Sequence, residues 1–81
     1  MRFEEIRGFL TKCGYTEREC DNHHSFYEFG TQDFLYSEVA KRFSSDVDEK
    51  GNTDKVIMTQ YWFGTTIFKE ITDMEGLYDS I

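Results

Sequence analysis

Residues 48–52 read Asp-Glu-Lys-Gly-Asn, and residues 55–63 read Lys-Val-Ile-Met-Thr-Gln-Tyr-Trp-Phe. The first segment has the polar and glycine residues of a turn, and the second is rich in residues that favour strands. The preceding segment, residues 33–43, has an apolar spacing that fits either a helix or one face of a strand. A strand is favoured because it would form a long hairpin with residues 55–63, centred near Lys50. This hairpin would pair Phe43 with Ile57 and Val39 with Tyr61.

Helical patterns mark both ends of the chain. Apolar residues at positions 3, 6, 10 and 13 form one stripe of an N-terminal helix that ends at Gly14, and Gly8 within it indicates a close approach to another backbone. Residues 72–75 read Thr-Asp-Met-Glu, a capping-box pattern that begins a short C-terminal helix. Further segments read as strands: residues 15–20, 25–29 and 65–71. The predicted fold class is α+β: an N-terminal helix, an antiparallel β-meander of about four strands, and a short C-terminal helix, both helices lying on one sheet face.

The composition limits the classes of function that the chain can serve. With 81 residues, we expect a single domain, 1–81, whose small core depends on eight Phe, five Tyr and one Trp. Its net charge of −7 argues against direct nucleic-acid binding, which needs clustered Lys and Arg. The first residues carry charges where a signal peptide would be apolar, and no apolar run is long enough to span a membrane. We therefore expect a cytoplasmic protein that does not bind membranes, with Cys13 and Cys20 as free thiols.

Residues 46–54, Asp-Val-Asp-Glu-Lys-Gly-Asn-Thr-Asp, resemble the first nine positions of a calcium-binding EF-hand loop. Acidic residues stand at the first, third and ninth positions and glycine at the sixth, so the resemblance implies a calcium site. Lys50 stands where the family has an oxygen ligand, and Ile57 where it has a bidentate glutamate. Because the residues after the loop also read as a strand, we expect an acidic hairpin turn and no cofactor. Weak metal binding through residues 46–54 remains an alternative.

Other candidate chemistry has little support in the sequence. Cys13, Cys20, His23 and His24 offer nitrogen and sulfur ligands, but their spacing matches no zinc finger or zinc knuckle. Nucleophilic catalysis by Cys20 with His23 is disfavoured, because it needs a cleft, an orienting group and oxyanion donors that a domain of this size rarely provides. No phosphate-binding loop, nucleophile elbow or paired-carboxylate motif is visible. We expect no catalytic residues, no metal site and no enzymatic activity from this chain alone.

Negative charge is the signal that extends along most of the chain. It suggests a small acidic inhibitor or regulator whose carboxylates dock onto a protein with a basic surface, such as a nucleic-acid-handling protein. Phage anti-defence proteins, immunity proteins and antitoxins share this size and charge, and the likeness extends no further. The expected contact residues are Asp46, Asp48, Glu49 and Asp54 at the hairpin tip, with Glu17, Glu19 and Asp21 as secondary contacts.

Two other interpretations stay open at this point. The charge could serve only to keep a small domain soluble. The chain would then be an aromatic-rich structural or protein-interaction domain with no inhibitory role, with Tyr61 and Trp62 as candidate contact residues, because these residue types dominate binding hot spots. The dependence of binding on salt concentration distinguishes the acidic inhibitor from the aromatic interaction domain. Binding through an acidic interface weakens as the salt concentration rises, whereas binding through an aromatic interface does not.

Overall fold

The computed structural model describes residues 1–28, 39–62 and 64–81, and for Val39, Ala40 and Trp62 it describes the backbone alone. The elements are α1 (Phe3–Lys12), β1 (Thr16–Cys20), β2 (His23–Tyr27), β3 (Val39–Asp46), β4 (Val56–Trp62), β5 (Thr65–Ile71) and α2 (Met74–Tyr78). The strands form one antiparallel sheet in the order β1-β2-β3-β4-β5. The predicted α+β class is confirmed, with five strands rather than about four. The predicted strand over residues 33–43 is confirmed from Val39 onward, and its earlier part lies outside the described residues.

The core lies between one face of the sheet and the two helices. Alternation along β2 to β5 points one set of side chains towards the helices, and the apolar members of this set are buried. Their buried partners come from the apolar stripe of α1 and from the single buried residue of α2. The buried core residues are Phe3, Ile6, Leu10, Tyr15, Phe26, Phe43, Val56, Met58, Ile71 and Leu77. We call this side of the sheet the helix face and the opposite side the open face.

The register of the β3–β4 hairpin differs from the prediction by one residue. Phe43 pairs with Met58, whereas Ile57 pairs with Ser44. A shift of one residue exchanges the faces of every side chain on a strand, so Val56 and Met58 enter the core and Ile57 lies half-buried on the open face. The prediction assumed a symmetric turn about Lys50. The actual loop has its shape set by contacts with the N-terminus.

Residues 1–3 lie alongside residues 51–53 and join the start of the chain to the β3–β4 loop. The amide of Phe3 donates to the carbonyl oxygen of Gly51 at 3.0 Å, and the amide of Thr53 donates to that of Met1 at 2.7 Å. The terminal amine of Met1 donates to the carbonyl oxygen of Thr53 at 2.8 Å. Because Phe3 begins α1, the loop satisfies an amide that a side-chain cap would otherwise serve. The loop and the helix therefore fix each other's position.

The end of α1 agrees with the prediction, and the start of α2 requires one correction at its cap. Gly14 follows α1 with a φ of 94°, as predicted for a left-handed residue. Asp73, rather than Thr72, is the N-cap of α2, because its Oδ1 accepts from the amide of Gly76 at 2.7 Å. No helix in the described ranges is long and apolar enough to cross a membrane.

The prediction that Gly8 marks a close approach to another backbone is wrong. A Cβ added at Gly8 would meet no other atom within 4 Å, and the residue is exposed on α1. At Gly51 the φ is 82°, and an added Cβ would lie 3.3 Å from Nη2 of Arg2. Glycine is thus required in the loop and costs stability in the helix.

We expect opposite effects from alanine at these two glycines. Gly51→Ala should lower the free energy of unfolding by about 1–2 kcal/mol, because a left-handed residue with a side chain is strained and crowds Arg2. Gly8→Ala should raise that free energy by up to about 1 kcal/mol, since alanine favours an exposed helix interior. Urea denaturation followed by circular dichroism measures both values. Equal changes in the two variants would contradict the assigned role of the loop.

Candidate functional site

The fold brings the two acidic segments of the sequence to one end of the sheet. The β1–β2 turn and the β3–β4 loop lie side by side, because the amide of Val47 donates to the carbonyl oxygen of Asn22 at 2.9 Å. His23 is also paired with Asp46 in the ladder. We call the exposed carboxylates of this turn and loop the acidic end: Asp21, Asp46, Asp48, Glu49 and Asp54. Glu19, the penultimate residue of β1, is exposed beside them.

Asp48 shapes the loop from within. Its Oδ1 accepts hydrogen bonds from the amides of Lys50 and Asn52 at 2.9 and 2.8 Å. Its own amide donates to the carbonyl oxygen of Asn52, and its carbonyl oxygen accepts from the amide of Gly51. One oxygen of this carboxylate is therefore used to fold the loop. Asp48 therefore has a structural role in the loop in addition to the contact role that the sequence predicts.

Arg2 brings a cation to the loop that resembles an EF-hand. Its Nη1 donates to the carbonyl oxygen of Lys50 at 2.8 Å and to Oδ1 of Asn52 at 3.0 Å. The loop is also flanked by β3 and β4, whereas an EF-hand loop is flanked by helices. The guanidinium thus places a positive charge against the loop, and this charge would oppose a metal ion bound there.

A pocket lies between the turn and the loop, in the middle of the acidic end. Its volume is about 180 Å³, and three of its lining residues carry carboxylates: Asp46, Asp48 and Asp54. The remaining lining residues are Asn22, Val47 and Asn52. An opening of this size and charge is suited to the cationic head of a lysine or arginine side chain.

Asp46 also belongs to a polar row on the open face. Its Oδ1 lies 2.8 Å from Nδ1 of His23, and Nε2 of His23 lies 3.5 Å from Oγ of Ser25. The order of groups is that of a catalytic triad, but the second distance is at the outer limit of a hydrogen bond. Ser25 is buried within β2, a strand paired on both sides, and its amide is placed for the ladder rather than for an oxyanion. The row mainly orients His23 and Asp46.

Glu17 lies on the helix face, where it is partly buried and paired with Arg7 and His24. Nε and Nη2 of Arg7 donate to its two carboxylate oxygens at 2.8 and 2.9 Å, and Nδ1 of His24 lies 2.7 Å from Oε2. The hydrogen bonds from Arg7 lower the pKa of Glu17, with His24 contributing and partial burial opposing the shift. His24 is itself buried, and its ring lies 4.3 Å from that of Phe3. Glu17 therefore links α1 to the sheet.

Glu17, Glu19 and His24 also form the set that could hold a metal ion among the described residues. One ligand atom from each lies within 4.8 Å of the others. Arg7 already neutralises Glu17, so a divalent cation at this place would be opposed by the guanidinium. Sequence reasoning missed the ion pair, because Arg7 and Glu17 lie on different elements and meet only when α1 packs on β1.

The remaining predicted residues are dispersed. Tyr61 lies half-buried on β4, and Trp62 belongs to β4 by its backbone, while its side chain lies outside what the structure describes. The four residues weighed as zinc ligands are not brought together: His23 and His24 point to opposite faces of β2, and the two cysteines lie after α1 and at the end of β1. Both cysteines are exposed, free thiols.

Loss of the Glu17 carboxylate should change how stability depends on pH. A lowered folded-state pKa contributes stability above the ordinary glutamate value of 4.5, and this contribution is lost as the pH falls through the lower folded value. Glu17→Gln should therefore lower the free energy of unfolding by about 1 kcal/mol at neutral pH and less in acid. Glu49→Gln, which removes an exposed carboxylate, is the matched control and should leave the curve unchanged. Urea titrations from pH 7 to about 3 test this difference, and two parallel curves would contradict the role of Glu17.

Comparison of the chain with protein-family models, with curated proteins and with solved structures finds no match. No residue role is carried over from another protein.

Proposed function

We propose that this protein is a small acidic inhibitor or regulator that binds a basic surface of a nucleic-acid-handling protein through the acidic end. The hydrogen bond between Val47 and Asn22 carries this proposal, because it joins the turn and the loop into one surface. Carboxylates that are as many as 33 positions apart in the sequence thus act together. A concentrated negative field both accelerates association and selects a basic partner.

The exposed carboxylates differ in their availability to a partner. Asp21, Glu49 and Asp54 form no side-chain hydrogen bond or ion pair with any other described residue. The side chain of Asp46 is 74% exposed and is held by His23. Glu17 and Asp48 are committed to internal contacts, so the binding surface is centred on the other carboxylates.

The pocket beside Asp46 and Asp54 gives the surface a specific contact. A lysine or arginine of the partner entering this pocket would find two exposed carboxylates on its rim and an oxygen of Asp48 nearby. The backbone of the loop is already ordered by Asp48, Arg2 and residues 1–3. Little conformational entropy would then be lost on binding, which favours affinity.

The negative charge of the acidic end also predicts competition with nucleic acid. A basic nucleic-acid-handling protein offers a cationic surface that this chain would cover, so the two macromolecules would compete for it. A cytoplasmic location belongs to this proposal. Direct binding of nucleic acid by this chain is not part of it.

Neutralisation of the pocket should weaken the association. Asp46→Asn/Asp54→Asn preserves side-chain shape and removes two charges, and we expect it to raise the Kd for the partner by at least about tenfold at low salt. Glu75→Gln/Asp79→Asn removes the same charge from exposed positions in and after α2 and should change the Kd far less. The partner is first captured from cytoplasmic extract at low salt and identified by mass spectrometry. Purified pairs are then compared by calorimetry at several salt concentrations.

Three results would contradict the acidic-docking proposal: a captured partner without a basic surface, a Kd that does not depend on salt, and equal effects of the two double variants. An affinity that depends on Tyr61 and persists at high salt would favour the aromatic interaction domain instead.

A further inference from the structure

The two edges of the sheet differ in how they are protected against pairing with another strand. At one edge, β1 has charged residues at three consecutive positions, residues 17–19. At the other edge, β5 begins Thr-Thr-Ile-Phe and carries charge only at Lys69 and Glu70. Charges on an edge strand oppose edge-to-edge association, and uncharged β-branched and aromatic residues favour it. Of the two edges, the β5 edge is therefore less protected against pairing with another strand.

The exposed apolar surface lies on the same side of the molecule. Six of the seven residues of β5 are exposed, and Phe68 is 68% exposed. Within the described residues, the exposed large hydrophobic side chains all belong to β5 or to the C-terminal segment that includes α2: Ile67, Phe68, Tyr78 and Ile81. Ile67 and Phe68 flank, on opposite faces of the sheet, a strand that has β4 as its only partner among the described residues, and exposed apolar groups in this position favour an interface.

The two charged side chains of β5 are paired with residues of the same chain. Nζ of Lys69 donates to Oγ of Ser80 at 3.2 Å, and Glu70 lies 3.8 Å from Nζ of Lys55. On a chain with a net charge of −7, this edge is locally neutral. A second acidic copy would therefore meet least repulsion here.

We propose that β5 pairs antiparallel with β5 of a second copy, forming a symmetric homodimer with a continuous ten-stranded sheet. The strand is self-complementary in this arrangement. Pairing along all seven residues is centred on Phe68, so the two Phe68 rings meet at the twofold axis. The same register places Thr66 opposite Glu70 and Ile67 opposite Lys69, and no like charges face each other.

The antiparallel arrangement also separates the acidic ends. β5 runs towards the end of the sheet that holds the β3–β4 loop, so a twofold axis through Phe68 sends the two acidic ends in opposite directions. Seven residues of strand extend about 23 Å. This exceeds the Debye length of about 8 Å at physiological salt, so repulsion between the acidic ends is screened.

Sedimentation equilibrium across a wide range of protein concentrations tests the dimer. We expect reversible association to twice the chain mass of 9.6 kDa. Phe68→Lys should raise the dimer dissociation constant by at least about tenfold, since it replaces an aromatic pair at the axis by two like charges. Thr16→Lys places the same charge on the exposed β1 edge and should leave dimerisation unchanged. Circular dichroism verifies that both variants fold.

Disulfide trapping provides a second measurement that introduces no charge at the edge. In a Cys13→Ser/Cys20→Ser background, Phe68→Cys should form a covalent dimer under mild oxidation, whereas Thr65→Cys should not, because only the residue at the axis meets itself. A monomer at all concentrations would overturn the proposal, as would a dimer weakened by Thr16→Lys rather than Phe68→Lys, or trapping at position 65 alone. The dimer does not depend on the acidic-docking proposal. The pocket variant Asp46→Asn/Asp54→Asn should dimerise normally, so the two proposals fail separately.

Discussion

The pairing of residues 1–3 with residues 51–53 is the constraint on which the rest of the structure depends. It joins segments about 50 positions apart and supplies the first amide of α1 with a partner. Because Phe3 packs against His24 and Phe26, the same segment places α1 over β1 and β2, where Arg7 can reach Glu17. Within the β3–β4 loop, Arg2 and Asp48 form hydrogen bonds that hold the backbone in the shape that exposes Glu49 and Asp54. The pairing of residues 1–3 with residues 51–53 therefore determines both how the core packs and how the acidic end is exposed.

The carboxylates of this chain do not all act as surface charge. Asp48 replaces solvent as the acceptor for loop amides, and Glu17 forms an ion pair that connects a helix to an edge strand. A partly buried pair with two hydrogen bonds from one guanidinium is more specific than an exposed pair, because its geometry is fixed. What remains for a partner is a smaller group of carboxylates around one pocket. The formal charge of −7 does not reveal how closely the carboxylates around this pocket are grouped.

Much of the fold could be predicted from local patterns, whereas the site depended on contacts between distant residues. The apolar stripe of α1, the strand after the loop and the glycine after α1 are short-range signals, and they were confirmed except that Cys13, assigned to the stripe, lies exposed after the helix. The hairpin register was wrong by one residue because the N-terminus sets the shape of the loop, which periodicity cannot reveal. The roles of Glu17 and Asp48 were missed for the same reason, since an acidic residue reads as surface charge until its partner is known. Asp46 and Asp54 were predicted as contacts by charge alone, but the pocket between them exists only because the β1–β2 turn lies against the loop.

The acidic end and the neutral edge of β5 occupy different parts of the molecule, and this separation has a physical consequence. A surface that attracts cations repels a second copy of itself, so a small acidic chain can self-associate only where its charge is locally cancelled. Here Ser80 and Lys55 pair with the charged groups of β5, Lys69 and Glu70, within one copy and leave the strand edge neutral. A dimer formed through that edge would carry two acidic ends that face away from each other. Such a dimer could bind two basic sites at once, or one partner with two sites at the matching spacing, and would then gain affinity without any new contact. Self-association at the edge and docking at the acidic end are thus compatible uses of the same sheet.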